Sequence, residues 1–220
     1  MPNYTPSHSF ADSHIESLEA IYRHQVSTSP LPPKLHNFAA GDCIWLHPER
    51  IWVVGQGIVQ LNLLHPSGDE VILGLAGPGM PFGSALTTLE AYQARALTAV
   101  ELMSFTLTEV ESSPNLNQSL FRGLSRRLRQ VEAILAISSH RRIEDRLRHL
   151  LFLLRQEVGH PHPQGHRLAV RLTHQQLASA IGTSRVTITR LLGKLREENW
   201  LKLDRDRHLI LTPALAPLSL

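Results

Sequence analysis

Cysteine is nearly absent: the 220 residues contain one, Cys43. A lone thiol excludes an intramolecular disulfide and any four-cysteine zinc or iron–sulfur site. No apolar stretch approaches the roughly 20 residues needed to span a bilayer, so no membrane association is expected. Met1–Arg23 places polar and acidic residues where an export signal needs an apolar centre, and a cytoplasmic location is the expectation. Catalytic patterns are missing too. The chain has no phosphate-cradling glycine loop, no paired-acid motif and no Ser-His-Asp order. His36, His47 and His65 have no partner at metal-ligand spacing. The one His-x-His pair, His160 and His162, lies in a proline-rich loop ending at His166 that has neither cysteine nor acid. The expectation is no metal, no cofactor and no enzymatic activity. The alternative, a metal-dependent enzyme on a cupin-like jelly roll with a helical accessory half, would need a His-x-His pair within the β region.

What is present is unevenly distributed. Hydrophobic residues make up 42% of the chain, enough for a packed core. Residues 1–121 hold four basic and eleven acidic residues, a net −7, and residues 122–220 hold eighteen and eight, a net +10. A split of this size points to a polyanionic partner for the C-terminal half, against the plainer reading of a solvated basic surface. The basic clusters Arg122/Arg126/Arg127/Arg129, Arg141/Arg142/Arg146/Arg148 and Arg185/Arg190/Lys194/Arg196 are arginine throughout except for Lys194. Arginine suits bidentate contacts to phosphate and guanine.

Along the chain, residues 12–24 read as a short helix ended by the Ser/Pro stretch Ser27–Pro33. From Phe38 to about Phe105 glycines punctuate short β-like runs. Val59, Leu61 and Leu63 alternate with Gln60 and Asn62, the period of a half-buried strand. Such texture predicts a small sandwich or barrel. Near Leu116 the period changes. Phe121, Leu124, Leu128, Val131 and Leu135 are spaced 3, 4, 3, 4, an a/d seam on a long and otherwise polar helix. We read the seam as the contact with the same helix of a second subunit, the alternative being a helix packed on its own domain. Ser138, Ser139 and His140 read as a hinge. A second helix carrying Ile143, Leu147, Leu150, Leu151 and Leu154 stops at Gly159.

The sharpest signal is Leu172–Arg196. Thr173 with Gln176 three residues later is a capping box. Leu177, Ala178 and Ile181 form an apolar face, Gly182 supplies a turn, and Thr183 or Ser184 caps a second helix. At 100° per residue, Ile188, Leu191, Leu192 and Leu195 fall on one side of that helix and Arg185, Val186, Thr189, Arg190 and Gly193 on the other. This pattern predicts a helix-turn-helix whose polar face lies in a major groove. Arg185 would fork onto guanine, Val186 would meet a thymine methyl, Thr189 a base edge or phosphate, and Arg190 a base or the backbone. Thr173, Ser184, Thr187 and Lys194 complete the candidate DNA contacts. Trp200–Leu203 and His208–Leu211 flank the turn Asp204–Arg207 and predict a two-stranded wing, with Lys202, Arg205 and Arg207 facing phosphates.

These residues resemble the catabolite-activator/fumarate-nitrate-regulator (CRP/FNR) superfamily of bacterial transcription factors. The resemblance covers about residues 38–212. It rests on Phe38–Asp42, Gly57–Leu61, Gly68–Val71 and Gly79–Gly83 in the β part, and on Gly182–Gly193 in the helical part. The last segment, with Gly123–Glu132, is similar to the cyanobacterial nitrogen-control branch. The implied fold class is α+β. An extension (1–35) precedes a β-roll or jelly-roll domain of the cyclic-nucleotide-binding type (36–110). A dimerisation helix (111–139) and a winged helix-turn-helix (140–214) follow. The implied function is that of a homodimer binding near-palindromic double-stranded DNA and acting on RNA polymerase.

The departures bear on the effector. Cyclic-nucleotide-binding members have a glutamate after the Phe-Gly pair, where this chain has Ser84 after Gly83, and an Arg-Ser pair where it has Ala91–Ala94. Arg95 is displaced, so cyclic nucleotide binding is not expected. The nitrogen-control branch implies 2-oxoglutarate between the β domain and the long helix. Arg127 and Glu132 resemble the helix's contribution, but the matching β-side arginine is lost. Weak or absent 2-oxoglutarate binding is expected, with another small molecule, or none, in a pocket of Gly83, Ser84, Arg95, Arg127 and Glu132. Val186 replaces the glutamate with which catabolite activators meet cytosine, which moves the implied base preference toward GTA…TAC half-sites.

Overall fold

The computed structural model describes residues 34–213 apart from 67 and 69; the short helix expected over residues 12–24 lies outside the described residues. Eight strands form the first domain: β1 (Lys34–Phe38), β2 (Cys43–Ile44), β3 (Arg50–Gln56), β4 (Val59–Leu64), β5 (Glu70–Ala76), β6 (Pro81–Phe82), β7 (Tyr92–Ala96) and β8 (Val100–Thr106). They make two antiparallel sheets, ordered β1-β8-β3-β6 and β2-β7-β4-β5. The alternating apolar residues of both sheets meet inside, where Val54, Val59, Leu61, Met80, Phe82 and Leu102 are almost fully buried. Each such side chain contributes about 1.5–3 kcal/mol of transfer free energy.

Strand β4 departs from its expected half-solvated state. Gln60 and Asn62, on the face opposite Leu61, are each only 1% exposed. A helix of the C-terminal domain covers them. The sequence period shows which residues share a face, but whether that face meets water depends on where a second domain docks.

The single helix expected over residues 111–139 is two, α1 (Leu107–Ser112) and α2 (Pro114–Ser139). Thr106 and Glu109 close a capping box on α1. The Ser113 side chain then accepts from the Leu116 amide, and Pro114 starts α2 where a missing N–H costs nothing. With 26 residues α2 is about 39 Å long. It crosses the β domain at Gly123, where a Cβ would lie 2.5 Å from both the Gly79 carbonyl oxygen and Pro81 Cδ. Only glycine permits that approach. Farther along, buried Gln130 accepts through Oε1 from the Leu75 amide at 3.0 Å and from Arg127 at 2.7 Å.

Extended backbone at His140 separates α2 from α3 (Ile143–Val158), at the expected hinge. The expected loop His160–His166 is instead a hairpin of β9 (Gly159–His162) and β10 (Gly165–Leu168), paired with β11 (Leu201–Leu203) and β12 (Leu209–Leu211) in the order β11-β12-β10-β9. Prolines argued for a loop. Pro161 is tolerated because β9 is an edge strand, and Pro163 lies in the turn of the hairpin. The wing is therefore half of a four-stranded sheet. Between β10 and β11 lie α4 (His174–Ile181) and α5 (Arg185–Glu197). Leu147, Leu151, Leu168, Leu177, Ile188 and Leu195 fill the core beneath them, and Ile58 and Leu75 join it from the β domain. Among the described residues no helix is long and apolar enough to cross a membrane.

Candidate nucleic-acid interface

Local signals fix the helix-turn-helix. Thr173 accepts from the Gln176 amide at 3.1 Å, and Gln176 returns the bond by accepting from the Thr173 amide at 2.8 Å. Gly182 ends α4 at φ 66°, a left-handed conformation that a Cβ disfavours. Ser184, and not Thr183, caps α5, its Oγ accepting from the Thr187 amide at 3.2 Å. The Thr187 hydroxyl lies 2.9 Å from Ser184 Oγ, so both belong to the cap.

Helix α5 divides as its spacing predicted. Ile188, Leu191, Leu192 and Leu195 are buried, while Arg185, Val186, Thr189 and Arg190 are exposed. Val186 is 79% exposed, an apolar side chain held out to solvent between two arginines. A Cβ on Gly193 would meet nothing within 4 Å, which leaves open space at that end of the face.

Two side chains on this surface have partners that spacing did not reveal. Lys194 lies 2.7 Å from Glu144 of α3, so it stands with that acid and apart from Arg185. Glu144 also receives Arg148 at 2.7 Å, and Arg148 reaches Glu198 at 2.9 Å while lying over the Trp200 ring. This cluster ties the end of α5 to α3 and the wing. His174, missed in the sequence reading, places Nδ1 2.7 Å from Thr189 Oγ1. A histidine directly after a helix cap, with a hydroxyl on the next helix, is the only signal that could have found it.

The hydrogen bond from Lys194, helped by Arg148, holds the Glu144 carboxyl below its ordinary value of 4.5. The folded-state value lies below the unfolded one, so the stabilisation is fully present above pH 4.5 and is lost as pH falls through the folded value. The melting temperature of the wild type should therefore drop more steeply under acid than that of Glu144→Gln. Parallel acid profiles would mean that the cluster adds no stability.

In the wing, Arg167 contacts Asp204 at 2.6 Å, and Asp204 accepts from the His208 amide at 2.8 Å. The Arg167 bond lowers the Asp204 carboxyl. With the turn fixed in this way, Lys202, Arg205 and Arg207 are all exposed.

The five pocket candidates separate. Arg127 is half-buried against the β domain and donates to the Leu73 carbonyl oxygen at 3.2 Å. Burial lowers its basicity, and Tyr92 lies beside it. Burial pushes the Tyr92 phenol up to about 12, with Arg127 and the Gly83 backbone amide acting against the rise. Gly83, Tyr92 and Arg127 thus come together, Tyr92 being a member the sequence reading overlooked. Ser84 is half-buried in the single 3-10 turn that follows Gly83. Arg95 points elsewhere, 3.4 Å from the Gly41 carbonyl oxygen, and Glu132 is exposed on α2.

On α2, Phe121, Leu124, Leu128, Val131 and Leu135 form a solvent-facing apolar stripe, with Phe121 69% and Leu135 72% exposed. The alternative reading of this seam, packing on its own domain, does not describe these side chains.

Comparison with known proteins agrees with this architecture. The sequence model of the Crp-like helix-turn-helix domain matches residues 145–218. The chain is 33% identical over 208 residues to the Global nitrogen regulator of Synechocystis sp., covering 89% of this chain and 92% of that protein. It is 35% identical over 188 residues to the Regulatory protein CysR of Synechococcus elongatus, covering 83% and 87%. A CRP/FNR-family transcriptional regulator from Thermus thermophilus superposes with a TM-score of 0.68 at 26% identity, over 83% of this chain and 96% of that one. A cyclic nucleotide-binding domain containing protein from Listeria monocytogenes shares the fold, at TM-score 0.79 and 15% identity over 91% of this chain and all of the other. The likeness in sequence and in fold extends over most of the chain and of these relatives, and the chain belongs to the CRP/FNR family of DNA-binding transcription regulators.

Proposed function

We propose that the chain works as a homodimer, joined along the apolar stripe of α2, and reads a near-palindromic site by laying α5 of each subunit in a major groove. The observation that carries this reading is the α5 face itself, where Arg185, Val186, Thr189 and Arg190 stand out from a helix whose other side is sealed in the core. Arg185 forks onto guanine O6 and N7, Val186 covers a thymine methyl, and Arg190 takes a base or a phosphate. Exposed Thr173 at the start of α4 and the wing's Lys202, Arg205 and Arg207 meet the backbone. Lys194 reaches DNA only by leaving Glu144. The role is one of binding, with no catalytic step, in the cytoplasm and in concert with RNA polymerase.

The cluster of Gly83, Tyr92 and Arg127 is the seat of any small-molecule effector. Separation of Arg95 and Glu132 from it supports a site that takes neither cyclic nucleotides nor 2-oxoglutarate tightly. Titration calorimetry with 2-oxoglutarate should show weak binding or none, and tight binding would overturn this part of the reading.

Selection of bound duplexes from a random pool at fixed salt tests the whole. Two inverted half-sites of the GTA…TAC type are expected, with centres about 34 Å apart on one face of the duplex. Recovery of unrelated sequences, or of single half-sites alone, would contradict a dimer reading two grooves.

A further inference from the structure

Thr189 occupies the middle of the exposed face of α5, and its hydroxyl is not at liberty. Oγ1 lies 2.9 Å from the Arg185 carbonyl oxygen, to which it donates, and 2.7 Å from His174 Nδ1. A threonine hydroxyl has one proton and two lone pairs. With that proton directed at Arg185, the contact with His174 is satisfied when the ring carries its proton on Nδ1 and donates to Oγ1. One lone pair remains. Thr189 is exposed and His174 half-buried beside it, and their bond joins the first turn of α4 to the second turn of α5.

We propose that His174 is a specificity-determining residue that acts through Thr189, turning its hydroxyl into a pure acceptor that selects a base carrying an amino group. Phosphate oxygens only accept, so a hydroxyl without a spare proton has nothing to give them. Guanine N7 and O6 and thymine O4 are acceptors too. The major-groove donors are the N4 amino group of cytosine and the N6 amino group of adenine. Clamped in this way, Thr189 discriminates A or C from G or T at one position of each half-site. The preference is set by a residue on the neighbouring helix. Without His174 the hydroxyl rotor is free to donate as well as to accept, and the discrimination disappears.

This inference rests on α5 reading base edges, and the test separates the two. Competition binding at fixed salt would compare the four bases at each half-site position for the wild type, His174→Ala, His174→Asn, Thr189→Val and Arg185→Ala. The wild type should favour an amino-bearing base at one position by about two- to tenfold, the worth of one hydrogen bond. His174→Ala and Thr189→Val should both flatten that position and leave the others intact. His174→Asn, whose side-chain amide can donate from nearly the place of Nδ1, should restore it. The salt dependence of His174→Ala should match the wild type. A uniform loss of affinity over all sequences, with a smaller salt slope, would make His174 a phosphate contact and overturn the proposal. So would an unchanged preference in His174→Ala alongside a relaxed position in Arg185→Ala. If Arg185→Ala also changed no preference, base reading by α5 would fall, and this proposal with it.

Discussion

Glutamate at both Leu128 and Leu135 is expected to leave the chain monomeric and to weaken binding to a full palindromic site by about 10²–10⁴-fold. The two leucines lie on the outward stripe of α2, at 59% and 72% exposure, so the substitutions leave the buried core of the chain untouched. In a dimer the same residues of two helices face each other. Four carboxylates would then enter an apolar seam, and each would have to give up its hydration. The size of the effect on DNA follows from linkage. The second recognition helix binds as part of an already anchored molecule, and a monomer loses that advantage without losing any contact to a half-site. Analytical ultracentrifugation should show one species of half the mass, with half-site affinity unchanged. A dimer that persists would move the interface off α2.

Arg185→Ala is the second large effect, at about 1–3 kcal/mol on a selected site with relaxed choice at one base position. Its side chain is exposed at the first position of α5, and the cap of that helix is made by Ser184 and Thr187, so thermal stability should not change. Arg190→Ala offers a contrast. If Arg190 meets phosphate, its loss should weaken binding to every sequence alike and lower the salt slope by about one.

The helix-turn-helix was legible because its signals are short-range. A capping box, a left-handed glycine and a 3.6-residue stripe each reside within a few residues, and together they fixed α4, α5 and the sidedness of α5. The apolar stripe of α2 was legible for the same reason. Long-range partners were not. Glu144 and Lys194 are fifty residues apart, and nothing in the spacing of either pairs them. The polar side of β4 looked solvent-facing, yet Gln176 of α4 donates to Gln60 at 2.7 Å, Gln60 to Asn62 at 2.8 Å, and Asn62 to Glu70 at 3.3 Å. The bond from Gln176 exists only because the two domains dock, which alternation within one strand does not encode. Prolines at 161 and 163 argued for a loop; Pro163 does lie in the hairpin turn, but the edge position that tolerates Pro161 is a property of the sheet. The break between α1 and α2 was present in the Ser113-Pro114 pair but was masked by the helical period on both sides. Gathering Tyr92 with Arg127, and dispersing Arg95 and Glu132, likewise follows from how the sheets close.

Base reading by α5 depends on Arg185 touching a guanine edge. Replacing one half-site guanine at a time with 7-deazaguanine removes the N7 acceptor and leaves base pairing intact, so each replacement can be combined with Arg185→Ala in a double-mutant cycle. At one position the modified base should cost the wild type about tenfold or more and cost Arg185→Ala nothing further. Equal losses for both proteins at every guanine, or no loss for either, would contradict a recognition helix that begins at Arg185.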